Sequence, residues 1–230
     1  MALALVTGGD RGIGRAISEM LAKEGYDIVI AARDKRAIAS EVKRIDAFGA
    51  KAWGFVCDVT DKEQIKRLAK DATEQAGVPD ILINNAGVAT NKDFVSNTEE
   101  EIEEMVDVNL LGLMFCTRAF LPKMLERKTG IIVNISSGAG KAGFPGLAAY
   151  CATKFGVLGF TESLALEVEK KGVRVYAICP GATETQMYHA LYPGESADFK
   201  PEDVAKEVLE LVKNAAKIRP GSAIDVEKRV

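Results

Sequence analysis

One tyrosine in this chain is placed to transfer protons. Tyr150 is the only one of the five tyrosines that has a lysine four positions later, at Lys154. On a helix, side chains four residues apart lie on the same face, so the lysine ammonium would stand beside the phenol. A phenol with an ordinary pKa of about 10 is a poor proton shuttle near neutral pH, and a neighbouring positive charge would lower that pKa. The spacing therefore predicts an acid–base catalyst, provided that the rest of the chain builds a site around it.

The elements that must hold this pair follow from the hydrophobic pattern. Short apolar runs alternate with longer helical patterns, which predicts βαβ units around a parallel sheet. The runs are almost continuously hydrophobic, as is typical of strands covered by helices on both faces. We expect a doubly wound, three-layer α/β fold that forms one domain over residues 1–230. The predicted strands are residues 3–6, 27–31, 51–57, 81–84, 131–135, 174–178 and 223–226.

Local signals mark where several helices begin. Thr60 with Glu63, and Thr98 with Glu101, have the spacing of capping boxes. Pro201 suits the first position of a helix. The stretch 186–200, which contains a Pro-Gly pair, is expected to be the least structured part of the chain.

Composition and charge narrow the classes of function. The net charge is −3 and no dense Lys/Arg block occurs, so no nucleic acid partner is expected. The first residues form one short apolar run before a glycine turn, which indicates a strand rather than a signal peptide or a membrane span. The four cysteines are widely spaced, which favours buried, reduced thiols and a cytoplasmic location. His189 is the only histidine, which excludes a histidine-based triad or a multi-histidine metal site, and we expect no metal.

A glycine-rich turn follows the first predicted strand. Residues 7–14 read Thr-Gly-Gly-Asp-Arg-Gly-Ile-Gly and lead into a predicted helix at 13–23. Glycines permit close approach of a ligand, and the unpaired N–H groups at a helix N-terminus attract a pyrophosphate. The glycine spacing differs from the commoner Gly-x-Gly-x-x-Gly form, but its place between a strand and a helix predicts a dinucleotide site.

The end of the second strand indicates which dinucleotide binds. An acidic residue there would hold the 2′-hydroxyl of NAD, but the best-aligned residue is Ala32, and Arg33 follows it. With Arg11 in the glycine turn, two guanidinium groups would stand near one ribose and suit a 2′-phosphate. Asp34 argues the other way. We expect NADP(H) to be preferred over NAD(H).

Further motifs appear in a fixed order along the chain, and together with the glycine turn they resemble the short-chain dehydrogenase/reductase family. The resemblance is to the short, one-domain branch and covers nearly the whole chain. It implies a Rossmann-like, mostly parallel seven-stranded sheet, a nicotinamide cofactor, and interconversion of an alcohol with a carbonyl. The motifs are Cys57-Asp58-Val59, Asn84-Asn85-Ala86-Gly87, Asn109, Ser137 twelve residues before Tyr150, the Tyr150/Lys154 pair, and Pro180-Gly181.

The resemblance also assigns catalytic roles. Tyr150 would donate the proton in carbonyl reduction, while Lys154 would lower its pKa and hydrogen-bond the nicotinamide ribose. Ser137 would donate a hydrogen bond to the substrate oxygen as hydride arrives. Asn109 would hold a water that links Lys154 to solvent, although it could instead simply cap a helix break.

The implied cofactor contacts come from several strand ends. Asp58 would meet the adenine edge, the Asn85 segment would line the cofactor, and Thr183 or, as the better motif match, Thr185 would face the nicotinamide. The predicted cofactor-binding residues are Gly8, Asp10, Arg11, Gly12, Ile13, Gly14, Arg33, Asp58, Val59, Asn85, Ala86, Gly87, Tyr150, Lys154, Pro180, Gly181, Thr183 and Thr185.

The substrate and the partners are less closely defined. Phe94, residues 140–146 and residues 186–200 would give apolar pocket walls, with Lys141 near the rim, which predicts a small neutral carbonyl or alcohol substrate. A homodimer or homotetramer is expected, with the last strand and the helix at 150–171 as the family's interfaces. Residues 227–230 lack the Gly-Gly that often closes that strand, so the geometry stays open. A 3-oxoacyl thioester reductase is an alternative, with a candidate basic docking cluster at Arg118, Lys123, Arg127 and Lys128.

A protein that binds NADP(H) as a sensor or scaffold, without catalysis, is the alternative from another class. Such relatives commonly lose the tyrosine or the lysine, whereas Tyr150 and Lys154 are both present here.

Overall fold

The computed structural model describes residues 2–227, so the last three residues of the predicted interface segment, 228–230, lie outside the described residues. The strands of this part of the chain pair in parallel in one seven-stranded sheet, which confirms the doubly wound α/β fold. They are β1 (Leu3–Thr7), β2 (Asp27–Ala32), β3 (Ala52–Val56), β4 (Ile81–Asn84), β5 (Gly130–Ile135), β6 (Val173–Cys179) and β7 (Ala223–Asp225).

The strand order places a crevice at the middle of the sheet. From β1 the chain builds outward to β2 and β3, and it then returns to place β4 on the other side of β1, giving the order β3-β2-β1-β4-β5-β6-β7. Val6 of β1 pairs with Ile30 on one side and with Ile83 on the other. In open parallel sheets, ligands bind beyond the carboxyl ends of the strands where this order reverses. The site should therefore lie above the ends of β1 and β4.

Helices cover both faces of the sheet and enclose two apolar clusters. The helices are α1 (Gly12–Lys23), α2 (Lys35–Asp46), α3 (Lys62–Gln75), α4 (Glu99–Val106), α5 (Leu113–Arg127), α6 (Ala148–Val168), α7 (Gln186–Leu191) and α8 (Pro201–Asn214). Buried residues of α1, α2 and α8 form the first cluster, including Ile17, Ile45 and Val208. Buried residues of α3, α5 and α6 form the second, including Leu68 and Phe120. Successive residues of each buried strand point to opposite faces of the sheet, so each strand contributes side chains to both clusters.

Two of the three predicted helix starts are confirmed and one is wrong. Thr98 and Glu101 form a reciprocal capping box at α4, and Pro201 is the first residue of α8. At α3, however, the Asp61 carboxylate caps the helix by accepting from the backbone N–H groups of Glu63 and Gln64. The Thr60 hydroxyl donates to Asp58 instead, at 2.8 Å. Because its hydroxyl is bound to the Asp58 carboxylate, Thr60 does not cap the helix.

Two helical segments differ from their predicted extents. The stretch 186–200 contains helix α7, whose N-terminus is capped by the Thr185 hydroxyl accepting from the N–H of Tyr188 at 3.1 Å. Helix α6 begins at Ala148 and ends at Val168, earlier than the predicted 150–171 at both ends, and a 3₁₀ turn occupies Glu169–Lys171.

A long helical stretch, Glu99–Arg127, joins α4 to α5 through a π-helical segment, Asp107–Gly112. By length and composition alone this stretch could cross a membrane, since it has 29 residues and contains an 18-residue window with a mean hydropathy of 1.3. Its apolar residues Cys116, Phe120 and Met124 pack against the sheet in the second core cluster. We interpret the stretch as a core helix, because its buried apolar face already packs against the sheet.

Candidate active site

The glycine turn after β1 is tied to the end of β4. The Thr7 hydroxyl accepts from the backbone N–H groups of Asn85 and Ala86, at 3.0 and 3.2 Å. The Asn85 side chain in turn donates to the carbonyls of Thr7 and Gly8, at 3.0 and 3.1 Å. These bonds hold the ends of β1 and β4 together at the point where the strand order reverses. Asn85 thus holds the turn itself, which the sequence motif did not reveal.

The start of α1 fits a pyrophosphate. Arg11 precedes the helix without a side-chain cap, and no acidic residue lies in the first turn, so the free N–H groups remain available to an anion. At Gly14 a Cβ would lie 2.1 Å from the Gly8 carbonyl oxygen, so only glycine lets the turn and the helix pack this closely. A Cβ at Gly12 would lie 3.4 Å from the Thr185 side chain, which brings the predicted Thr185 beside the phosphate turn.

The other residues of the turn have distinct surroundings. Ile13 is partly buried and packs against the first core cluster. Asp10 lies near enough to α2 for its charge to help raise the pKa of Glu41 there. Arg11 is exposed beside α1.

The end of β2 presents an exposed arginine and an acidic residue that is already engaged. Arg33 is exposed, whereas Asp34 caps α2 by accepting from the backbone N–H groups of Arg36 and Ala37 at 2.8 and 3.1 Å. These two hydrogen bonds, helped by the charges of Arg36 and Arg11, lower the pKa of Asp34. The influence of Arg11 shows that the glycine turn and the start of α2 face one another. Asp34 therefore argues less strongly for NAD than the sequence suggested.

A groove of about 260 Å³ lies between the end of β3 and α4. Asp58 contributes to it and accepts from both the N–H and the hydroxyl of Thr60, while Val59 beside it is buried. Val108 offers an apolar wall, and carboxylates supply acceptors that suit an exocyclic amino group. The groove thus has the chemistry of an adenine site next to Arg33, and its lining residues are Arg33, Asp58, Thr60, Glu100, Glu103, Glu104, Asp107 and Val108.

Tyr150, Lys154 and Ser137 meet above the ends of β5 and β6. Lys154 is 4% exposed, and its ammonium donates to the Ile135 carbonyl at 2.9 Å while lying 5.6 Å from the centre of the Tyr150 ring. Burial lowers the pKa of Lys154 to about 8. Ser137 begins a 3₁₀ turn at the end of β5, and its hydroxyl hydrogen-bonds the Tyr150 phenol. The structure therefore brings the three predicted catalytic side chains together.

The predicted direction of the Tyr150 pKa shift is wrong in the protein alone. Burial raises the pKa of Tyr150 to about 12, and the hydrogen bond from Ser137 offsets only part of that rise. The Lys154 ammonium is turned toward the Ile135 carbonyl, and burial weakens its own charge. Burial disfavours the charged phenolate, and this effect outweighs the hydrogen bond that favours it. Tyr150 is therefore protonated at neutral pH, which suits a proton donor.

Asn109 stands in the π-helical segment and braces a neighbouring loop. Its side-chain oxygen accepts from the Val88 N–H at 2.8 Å, and its amide donates to the Val88 carbonyl at 2.9 Å. The second amide hydrogen goes to the Thr153 hydroxyl at 3.1 Å. A Cβ at Gly87 would lie 3.3 Å from this side chain and 3.8 Å from the Lys154 ammonium, so Gly87 lies next to both. Both amide hydrogens of Asn109 are already donated, so the side chain cannot donate to a water. A relay water would instead have to donate its own hydrogen to another acceptor of Asn109.

The segment after β6 returns to the same region. The Pro180 carbonyl accepts from the N–H of Gly138 at 2.8 Å, which joins this segment to the Ser137 turn. The Thr183 side chain is buried and its hydroxyl donates to the Gly181 carbonyl. The Thr185 hydroxyl donates to the Thr183 carbonyl and caps α7, but its side chain lies by the phosphate turn. Of the two threonines, Thr185 is the better placed for a ligand.

Two loops and helix α7 contact one another and carry exposed apolar side chains. The N–H of Lys92 donates to the Gly146 carbonyl at 3.0 Å, and Asn91 donates to the Leu191 carbonyl at 3.1 Å. These bonds bring together the three segments that bear Phe94, Phe144 and Met187, with exposures of 58%, 49% and 38%. Tyr192 lies close enough to Tyr150 for its phenol to help raise the pKa of Tyr150.

Several expectations about nearby residues can now be judged. His189 is exposed and pairs with Glu184, as expected of a surface residue in this loop. All four cysteines are free and buried, and Cys151 packs beside Leu147. Lys141, expected at the pocket rim, instead binds Asp225 and the Ala223 carbonyl of β7, because β7 ends beside it.

Two hydroxyl residues of the site could not be found from their motif positions. The Ser136 hydroxyl donates to the Lys154 carbonyl at 3.0 Å, and the Thr153 hydroxyl donates to the Tyr150 carbonyl at 2.8 Å. The Ser136 bond joins two elements that only the folded chain brings together, whereas the Thr153 bond lies within one turn of α6. Serine and threonine in a helix often bond a carbonyl one turn earlier, which is the only local signal for Thr153.

Known proteins resemble this chain in sequence and in structure. A family model described as short chain dehydrogenase matches residues 2–196. The 3-oxoacyl-(acyl-carrier-protein) reductase FabG of Staphylococcus aureus is 35% identical over 97% of this chain and 95% of the relative. The FabG of Thermotoga maritima is 33% identical over 98% of this chain and 96% of the relative.

Two solved structures superpose over nearly the full length. A crystal structure of actinorhodin polyketide ketoreductase with NADPH has a TM-score of 0.91 and 34% identity, covering 98% of this chain and 95% of its own. Levodione reductase has a TM-score of 0.92 and 27% identity, covering 98% of this chain and 96% of its own.

Proposed function

Because the chain belongs to the short chain dehydrogenase family, we propose that it is an NADP(H)-dependent oxidoreductase that interconverts a small neutral carbonyl and an alcohol. Residues 1–230 would form one catalytic domain. The observation that carries the proposal is the meeting of the Ser137 hydroxyl, the Tyr150 phenol and the Lys154 ammonium beside the pyrophosphate turn. This arrangement supports a site that would stabilise and protonate a developing oxyanion.

The residues of the chain supply the proton and the oxyanion contacts. The nicotinamide would supply hydride to the carbonyl carbon. Ser137 would donate a hydrogen bond to the substrate oxygen as negative charge develops there. Tyr150, whose pKa of about 12 keeps it protonated at neutral pH, would deliver its proton to that oxygen. Lys154 would stay mainly charged below its pKa of about 8 and would stabilise the phenolate that forms.

The preference for NADP(H) rests on the surroundings of the adenosine ribose. Arg33 is exposed at the end of β2, and Arg11 faces the same region from the glycine turn. Asp34, the one residue that would favour NAD, is committed to capping α2. The structural neighbour crystallised with NADPH supports the same choice. Guanidinium groups bind phosphate bidentately and have no comparable partner on a ribose hydroxyl.

A 3-oxoacyl thioester reductase is the second candidate, and the FabG relatives favour it. The structure weakens the proposed basic docking cluster, because Arg127 donates to the Val78 and Pro79 carbonyls and pairs with Asp80 at 3.4 Å. The remaining members, Arg118, Lys123 and Lys128, are exposed. The FabG relatives are named for a substrate bound to acyl carrier protein, and one structural neighbour is named for levodione. The substrate of this protein must therefore be decided by assay.

One panel assay tests these proposals together. The protein would be mixed with NADPH and a series of neutral ketones, aldehydes and 3-oxoacyl thioesters, and the loss of NADPH absorbance would be followed. Turnover of simple ketones or aldehydes supports the main proposal, and turnover of thioesters alone favours the second candidate. Tight NADPH binding with no turnover across the panel would instead favour the sensor alternative and reject both.

We also propose that the protein forms a homodimer or homotetramer. The outer face of α6 leaves Phe155 and Leu166 exposed, at 47% and 71%, which is costly for apolar side chains unless a partner covers them. Sedimentation of the parent and of Leu166→Glu tests this, since the charged variant should dissociate. A parent that sediments as a monomer would contradict the proposal. The cytoplasmic location and the lack of nucleic acid partners stay predictions.

A further inference from the structure

The hydroxyl of Thr153 connects two parts of the candidate site. Thr153 directly precedes Lys154 on α6 and is 2% exposed. Its oxygen accepts from the Asn109 amide at 3.1 Å, and its hydrogen goes to the main-chain carbonyl of Tyr150 at 2.8 Å. One side chain therefore joins the π-helical segment to the turn of α6 that bears both Tyr150 and Lys154.

The other end of this connection is the loop that follows β4. Asn109 holds Val88 through both its carbonyl oxygen and its amide, at 2.8 and 2.9 Å. Val88 comes directly after Gly87, in the segment predicted to line the cofactor, and Gly87 lies beside the Lys154 ammonium. A continuous path of hydrogen bonds thus leads from the cofactor-lining loop to the backbone of Tyr150.

We propose that Thr153 is a positioning residue, which sets the place of the Tyr150 phenol relative to the cofactor-lining loop through Asn109. The inference rests on the proposed function. Removal of the hydroxyl leaves one Asn109 hydrogen and the Tyr150 carbonyl without this partner, in a place that water reaches poorly. The first turn of α6 then loses its link to the loop, and the phenol is no longer held at a fixed distance from the substrate.

Thr161 provides a matched control on the same helix. Its hydroxyl accepts from the Asn134 amide at 2.9 Å and donates to the Val157 carbonyl at 2.7 Å, and it is 1% exposed. It thus makes the same two kinds of bond in an equally buried place. Thr161 lies eight residues later, about 12 Å farther along the helix axis, and contacts no proposed catalytic residue. A valine at either position should therefore have a similar structural cost.

The test compares Thr153→Val, Thr153→Ser and Thr161→Val with the parent. We expect Thr153→Val to lower kcat by about tenfold to a hundredfold, because a small displacement of a catalytic group has effects of that size. The KM for NADPH should change little, since the Asn109–Val88 bonds persist. Thr153→Ser keeps the hydroxyl and should restore most of the parent kcat. Thr161→Val should lose as much Tm as Thr153→Val while keeping the parent kcat.

A spectroscopic measurement separates this inference from the proposed function. In protein labelled with fluorotyrosine, the Tyr150 resonance can be assigned from its loss in Tyr150→Phe. Thr153→Val should shift or broaden that resonance, and Thr161→Val should not. Equal changes in both valine variants, or none in either, overturn the inference. If the parent reduces no carbonyl, the proposed function fails, and the resonance alone decides whether Thr153 positions the phenol.

Discussion

Replacement of Arg33 by alanine should weaken the binding of NADPH far more than that of NADH. Arg33 is exposed at the end of β2, and Asp34 beside it is held in the cap of α2. A hydrogen bond to a charged group contributes about 1.5 to 3 kcal/mol, and solvent screening of an exposed arginine favours the lower part of that range. A loss of about 1.5 to 2 kcal/mol corresponds to a Kd for NADPH about 10 to 30 times higher.

The assay is a fluorescence titration of each dinucleotide into the parent, Arg33→Ala and Lys35→Ala. Lys35 is also exposed and lies two residues away, so its removal makes the same change in net charge without removing the guanidinium. The Kd for NADH should stay within about threefold in all three proteins, because no 2′-phosphate is present. Equal losses for NADPH and NADH in Arg33→Ala, or an equal loss in Lys35→Ala, would refute the reasoning.

Two further predictions concern packing and pH. Gly14→Ala should abolish dinucleotide binding, because its Cβ would lie 2.1 Å from the Gly8 carbonyl oxygen. In the control Gly159→Ala, the new Cβ would meet no atom within 4 Å, so dinucleotide binding should persist. A normal dinucleotide titration of Gly14→Ala would contradict the prediction. Burial, with the charge of Glu19, raises the pKa of Glu41 from 4.5 to about 7. The folded state therefore binds a proton at Glu41 more tightly than the unfolded state. The stability that this proton contributes is lost as pH rises from about 4.5 to 7. The difference in free energy of unfolding between Glu41→Gln and the parent, measured with urea, should therefore favour the variant by about 1 to 3 kcal/mol more at pH 8 than at pH 4. A difference that is the same at both pH values would count against the pKa shift.

The sequence was sufficient for the fold and for a set of candidate reacting side chains that the structure brings together. Strand positions followed from apolar runs, because each strand is buried on both faces and tolerates few polar residues. The Tyr150/Lys154 pair followed from its spacing on one helix, and Ser137 followed from the order of the family's motifs. These features depend on local chemistry that one segment carries by itself.

Other features depend on contacts that only the folded chain creates. The pKa of Tyr150 rises because burial outweighs the Ser137 hydrogen bond, and the extent of burial cannot be counted from the chain. Thr60 was the predicted cap of α3, but its hydroxyl donates to Asp58, and Asp61 caps the helix instead. Asp34 had two possible partners, a ribose or the start of α2, and the structure gives it to the helix.

The proton donated by Tyr150 is the central claim, and Tyr150→Phe tests it most directly. Single-turnover reduction of the best carbonyl substrate by bound NADPH would be measured for the parent, for Tyr150→Phe and for Tyr26→Phe, which removes a phenol far from the site. The loss of a general acid should slow Tyr150→Phe by about 100-fold to 10,000-fold, with an unchanged Kd for NADPH. Tyr26→Phe should react at the parent rate. A Tyr150→Phe protein that reduces the substrate as fast as the parent would contradict the account.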